Sequence, residues 1–215
     1  MIQLTTKGMT GIADTKALAD EFASKQCVRI PQLLSIDLGR IVSTHVDRGG
    51  WIHLEHRNIG QELFLDNLVA LNALHFAVNT PRFHEFVEII TGCEPIVRFE
   101  GRVYRMTPGA GHHDSWHNDN FGGRLVGMSI HLGKYPHNGG IFQLRDAESK
   151  KKLCDLPNTI LGDAIMFRIS PRLEHRVTDV EGGEPKTAFA GWFKNSGTDY
   201  FSSIRNRSAD RLSLP

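Results

Sequence analysis

The sequence predicts a mainly β protein, a jelly roll or related barrel, with N-terminal helices packed on one sheet. Two observations carry that expectation. Up to about residue 95 the apolar residues recur at helical spacing. After Pro95 the segments turn short, β-branched or aromatic, and are separated by Gly, Pro or Asn.

Taken in order, Asp14 is placed to cap a helix whose apolar positions are Ala17, Leu18 and Phe22. Residues 28–30 read as a short strand ended by Pro31. Ser35 is a second cap, with Leu38, Ile41 and Val42 on one helix face. From 61 to 77 the positions Leu65, Leu68, Val69, Leu71, Leu74 and Ala77 fit one long amphipathic helix. Another runs from Pro81, a good first-turn residue, to Ile90, and Gly92 ends it. Strands are then expected at 96–106, 117–119, 125–132, 141–144, 159–161, 164–167, 175–177 and 187–193. The polar tail after Asn195 reads as a surface strap or a partly disordered end. The chain is expected to form one domain over 1–215: helical support at 1–95, a barrel at 96–195 and the tail at 196–215.

Composition narrows the function classes. With 25 basic and 24 acidic residues the formal net charge is +1, so no general attraction to nucleic acid or to anionic lipid is expected. No apolar run reaches the roughly 20 residues of a membrane span, and no signal peptide is seen. Three cysteines, Cys27, Cys93 and Cys154, lie far apart, which predicts free thiols in a reducing cytoplasm. Eleven histidines are many for 215 residues, and several fall in one short stretch.

That stretch carries the chemistry. His117-Asn118-Asp119 sets an imidazole and a carboxylate two residues apart, on one face of a strand. His175, after a Gly162-Asp163 turn and the strand at 164–167, is the best third ligand. Two imidazoles and one carboxylate occupy one face of an octahedron and leave three positions open, the arrangement of non-heme iron(II) oxygenases. His112 and His113 read as loop residues beside the site. His53-x-x-His56 has no partners at zinc spacing. His84-Glu85-x-x-Glu88 lacks the second histidine of a zinc-protease helix and reads as an exposed helix face.

From Tyr104 to Phe193 the chain resembles the 2-oxoglutarate and iron(II)-dependent dioxygenases, in the pattern of their prolyl-hydroxylase-like branch. The features run in order: His117-x-Asp119; Arg124 leading into a strand; Gly139-Gly140-x-Phe142; Gly162-Asp163-Ala164-Ile165-Met166-Phe167; His175-Arg176-Val177; and a closing strand from Lys186 to Gly191-Trp192-Phe193.

The resemblance implies a double-stranded β-helix that uses Fe(II), 2-oxoglutarate and O2. His117, Asp119 and His175 would hold the metal. The co-substrate would chelate it through its 1-carboxylate and keto oxygen, with the 5-carboxylate on a basic residue of the last strand. By position that residue is Lys186, with Arg124, Arg145 or Lys134 as alternatives, since many relatives carry Arg here and the spacing from His175 is longer. Tyr104, His131 and Trp192 are further co-substrate candidates, each balanced by an ordinary place in the core. The reaction implied is oxidative decarboxylation to succinate and CO2, coupled to hydroxylation of an unactivated C–H bond. Asp119 favours hydroxylation over halogenation, because related halogenases have a small residue there.

Substrate contacts are expected from loops around the mouth. The stretch 109–115 precedes the ligands and includes His113. Residues 48–58 read as a mobile lid, with Arg48, Trp51 and Arg57 as contacts beside Arg98. A small-molecule substrate is the first expectation and a protein residue the second. A non-oxygenase metal-binding barrel is the third.

Overall fold

The computed structural model describes residues 2–57 and 59–205. It opens with a hairpin, β1 (Ile2–Thr5) and β2 (Gly8–Gly11), followed by α1 (Thr15–Lys25), β3 (Cys27–Ile30) and α2 (Ile36–Arg48). A second hairpin, β4 (Gly50–His56) and β5 (Gly60–Asp66), leads into α3 (Leu68–Val78) and α4 (Pro81–Thr91). Then come β6 (Arg98–Met106), β7 (His113–Asp114), β8 (Arg124–His131), β9 (His137–Gly139) and β10 (Phe142–Asp146). The remaining strands are β11 (Lys152–Leu156), β12 (Ala164–Arg168), β13 (Leu173–Val177), β14 (Val180–Gly183) and β15 (Lys186–Lys194).

One eight-stranded sheet runs β3-β12-β8-β15-β6-β5-β4, with β7 added beside β5. Facing it are a three-stranded sheet, β11-β10-β13, and the pair β14-β9. All these ladders are antiparallel. The strands curl into the double-stranded β-helix that the resemblance implies, with the candidate site between the two sheets.

Alternation along β15 shows how sequence becomes architecture. Lys186, Ala188, Ala190 and Trp192 face the barrel interior, whereas Phe189 and Phe193 point out to the helices. There Phe193 packs, with rings tilted, against Phe99 at 4.8 Å and Phe83 at 5.9 Å between ring centres. Phe22, Leu38, Val42, Leu74, Val87 and Ile90 of the four helices bury against the same layer. Gly191 faces Gly101 across the ladder, and a Cβ on Gly191 would lie 2.0 Å from the Glu100 carbonyl oxygen. Only two glycines let β15 and β6 approach this closely.

The helix caps follow the local chemistry. Asp14 accepts from the Ala17 amide, Ser35 from Leu38, and Pro81 opens α4. Gly92 ends α4 at φ +61°. Asp163, 1% exposed, accepts from Arg29 Nε at 2.9 Å and from the Gln32 amide at 2.8 Å, tying the edge strand β3 to the turn before β12.

Four expectations need correction. The long helix at 61–77 is a strand followed by a helix: β5 pairs with β4 along its whole length, and Asn67 caps α3 through the Val69 and Ala70 amides. Leu65 is buried as a strand residue while Leu68 and Val69 are exposed. The helical spacing across Asn67 was a coincidence between two elements. The lid expected at 48–58 is mostly β4, held by seven register pairs to β5. No strand forms at 159–161, where Ile160 is 50% exposed; the strand lies earlier, at β11, masked in the sequence by three consecutive lysines. His84 is buried against Phe193, so only Glu85 of that motif keeps an open helix face. Of the tail, Arg98 bonds the Thr198 carbonyl and Phe201 meets Phe76 edge-on; residues 206–215 lie outside the described residues.

Candidate metal centre

His117 and Asp119 sit in the segment between β7 and β8. No full strand forms there, but a two-way backbone bridge joins His117 to His175 on β13, with N···O distances of 3.0 and 2.9 Å. That bridge brings together residues 58 positions apart in the chain. The imidazole centres are 4.2 Å apart, and Asp119 Oδ2 lies 3.5 Å from His175 Nε2 and 3.9 Å from His117 Nε2. One donor atom from each of the three lies within 4.8 Å of the others, so the set can close around a single ion.

Neighbouring groups aim these donors. His117 Nδ1 lies 2.8 Å from the Ser115 carbonyl oxygen, which fixes the proton on Nδ1 and leaves the Nε2 lone pair facing the centre. Asp119 Oδ1 accepts from Arg124 at 2.9 Å, and Oδ2 from Trp192 Nε1 at 2.6 Å. Each oxygen has a lone pair to spare, so a held carboxylate still has one for a metal. Arg124 lies 3.4 Å over the Trp192 ring and 3.7 Å over Phe121. Burial, then the adjacent His117 and Arg124, push the His175 imidazole well below its ordinary value. It stays neutral, as a ligand must. Burial pushes the Asp114 carboxyl up to about 6 although His117 beside it pulls the other way; it accepts from the Val177 amide at 2.8 Å.

The centre opens into a cavity of about 400 Å³. At its far end stands Lys186, 2% exposed, with no ion pair or hydrogen bond among the described residues. Burial brings its ammonium down to about 8. An unpaired buried cation is costly unless an anion reaches it. The alternative cations are committed elsewhere: Arg124 to Asp119, Arg145 to Glu174 at 2.7 Å, and Lys134 to Asp47 on the surface. The cavity thus presents a ligand set and a separate cation, a donor pattern that a metal-chelating dicarboxylate would match.

Other expected contacts divide. Tyr104, Arg124, Trp192 and His113 line the cavity. His131 does not: it is fully buried beside His137, ring centres 5.2 Å apart, and neither imidazole has a hydrogen-bond partner among the described residues. Burial and then Lys186 lower His131 to about 3 and His137 to about 4, keeping both neutral. Of the expected substrate contacts, Arg48, Trp51, Arg57 and Arg98 are also away from the cavity. Arg48 is exposed in the last turn of α2 and Arg57 in the turn after β4. Trp51 packs on the helix-covered core beneath Arg105. Arg98 is held by Glu100 and Thr198. His112 braces the loop through the Thr107 amide. Sequence reasoning missed His56, Glu62, Arg102, Ser129 and Asn158, all on the cavity wall. Alternation signals Arg102, which shares the inner face of β6 with Tyr104.

Comparison with known proteins agrees with this geometry. Residues 101–194 match the model of the 2OG-Fe(II) oxygenase superfamily. No curated protein matches the sequence. Among solved structures, a prolyl-4-hydroxylase of Pseudomonas putida aligns with TM-score 0.63 at 20% identity, covering 85% of this chain and 100% of that one. A 2OG-Fe(II) oxygenase family oxidoreductase from Burkholderia pseudomallei gives 0.68 at 14%, covering 88% and 94%. A prolyl hydroxylase from Trichoplax adhaerens, solved with a hypoxia inducible factor peptide fragment, gives 0.62 at 15%, covering 94% and 93%. These likenesses show a shared, prolyl-hydroxylase-like fold, and the family match favours an oxygenase over the non-oxygenase barrel. Residues 101–194 thus carry the 2OG-Fe(II) oxygenase match, which supports the activity of a 2-oxoglutarate-dependent dioxygenase using iron(II), 2-oxoglutarate and dioxygen.

Proposed function

We propose that this dioxygenase hydroxylates an unactivated C–H bond of a small molecule, with iron(II) on His117, Asp119 and His175 and the distal carboxylate of 2-oxoglutarate on Lys186. The observation that carries the reading is one cavity lined by both the His-Asp-His set and a buried ammonium that has no partner among the described residues. Iron and co-substrate together supply the oxidation: dioxygen is consumed, 2-oxoglutarate becomes succinate and CO2, and a substrate C–H becomes C–OH. The chain supplies position and surroundings. His117 would present its Nε2 and His175 a neutral imidazole to the metal, and Asp119 would balance its charge while Arg124 and Trp192 fix the carboxylate. Phe142, Ile165, Phe167 and Met106 line the interior and exclude water. Tyr104, which burial pushes up, stays protonated and keeps a hydroxyl on this wall.

The cavity volume supports a small substrate. The likeness to prolyl hydroxylases favours a second reading, a protein residue as substrate. Succinate release measured separately with small metabolites and with proline-containing peptides decides between them. The site assignment is tested by His117→Ala and His175→Ala, each expected to lose iron and turnover together. A variant that retains stoichiometric iron refutes that ligand.

A further inference from the structure

We infer that the substrate is a small zwitterion, its carboxylate taken by Arg102 and its ammonium group by Glu62. The inference rests on the oxygenase reading above and adds the chemical class of the substrate.

Among the described residues that line the cavity, Arg124–Asp119 and His117–Asp114 belong to the metal centre, and Lys186 has no partner. One ion pair remains. Arg102 Nε donates to Glu62 Oε1 at 2.7 Å, and Arg102 Nη2 lies 3.0 Å from His56 Nε2, itself 3.4 Å from the same Glu62 oxygen. The two side chains are 32% and 14% exposed. Burial pushes the Glu62 carboxyl up, but His56 and Arg102 outweigh it and hold it below its ordinary value, so the pair is charged.

Strand register places the pair. Arg102 stands opposite Ala190 and Lys186 opposite Met106 on the same inner face. That is four residues along β15, roughly 13 Å. Trp192, two residues beyond Ala190 on that face, holds Asp119. The ion pair therefore stands at the metal's end of the cavity, and Lys186 at the other. A co-substrate running from Lys186 to the metal leaves Arg102 and Glu62 facing the rest of the space, beside Ile59 and Phe121.

A ligand that closes this wall to water leaves desolvated the atoms that the pair does not satisfy itself: Arg102 and Glu62 meet at Oε1, and no bond among the described residues reaches Arg102 Nη1 or Glu62 Oε2. A neutral ligand with no donor or acceptor there satisfies neither. A simple anion takes the guanidinium and strands Glu62, and a simple cation does the reverse. A zwitterion satisfies both, its carboxylate meeting the Arg102 fork and its ammonium the Glu62 oxygens.

The test uses the full chain loaded with manganese(II) and 2-oxoglutarate for calorimetric binding, and with iron(II) for succinate release. The probes are the common free L-amino acids, each with its N-acetyl and carboxamide derivatives. At least one free amino acid is expected to bind and stimulate succinate release, with each derivative weaker by about 10- to 100-fold. Arg102→Met removes the preference for acid over carboxamide, and Glu62→Gln removes the preference for free over acetylated amine. Blocked derivatives that bind as well as the free forms overturn the inference, even where a variant fails to fold. Wild-type 2-oxoglutarate turnover with no amino acid bound also overturns it, while the oxygenase reading stands. No 2-oxoglutarate turnover under any condition overturns both.

Discussion

Replacing Lys186 with methionine separates two effects that usually travel together. Burial moves this ammonium from 10.5 to about 8. The downward shift corresponds to roughly 3 kcal/mol at about 1.4 kcal/mol per pH unit. Because the folded-state value lies below the unfolded one, the penalty is fully present below pH 8 and is relieved as pH rises from 8 to 10.5. Metal-free and ligand-free, Lys186→Met should therefore be more stable than wild type at pH 7. At roughly 2–4 °C per kcal/mol for a chain of this size, the Tm rises by several degrees. Its affinity for 2-oxoglutarate should fall, since a charge-assisted contact worth about 1.5–3 kcal/mol is lost, roughly 10- to 150-fold in Kd. In wild type, 2-oxoglutarate affinity should weaken as pH climbs past about 8. The variant should lack that dependence. Scanning calorimetry gives the first quantity and titration calorimetry on manganese-loaded protein the second. A variant that is less stable than wild type, yet binds the co-substrate unchanged, refutes the reasoning.

Other consequences are as direct. Trp192→Phe keeps the ring but removes the hydrogen bond to Asp119 Oδ2; iron affinity should drop about 10- to 100-fold, read by competition with a chelator. Phe193→Ala, fully buried among Phe83, Phe99 and His84, should cost about 3–5 kcal/mol in urea unfolding. Gly127→Ala places a Cβ 2.1 Å from the Phe167 ring; it should destabilise by about 1–3 kcal/mol, whereas Gly109→Ala, with open space around its Cβ, should show a smaller loss from its φ of +70°.

The barrel was largely legible where its strands alternate in and out. On β15 the small residues Ala188 and Ala190 fall on one face and Phe189 and Phe193 on the other, a period no helix produces. Capping chemistry likewise announced α1, α2 and α4. Legibility failed where two elements abut without punctuation. Leu65 and Leu68 look like helix neighbours until Asn67 is recognised as a cap. The donors His117 and Asp119 could be marked by spacing, and Lys186 by its place before the closing strand. Arg102 could be marked only by alternation with Tyr104 on β6, and Glu62 and His56 not at all, because the three share a wall only once β4, β5 and β6 pair. Trp51 and Arg98 carried ordinary surface chemistry, and only strand register shows that they face away.

The positions of Lys186 and His175 are set by backbone pairing, against Met106 on β6 and Leu144 on β10 respectively. Neither hangs from a loop that can stretch. With the co-substrate anchored as proposed, the barrel would act as a gauge of molecular length, tuned to one number of methylenes between keto acid and distal carboxylate. Oxaloacetate, one carbon shorter, and 2-oxoadipate, one longer, should each forfeit one anchor, and the enzyme would ignore both in a cell that contains them.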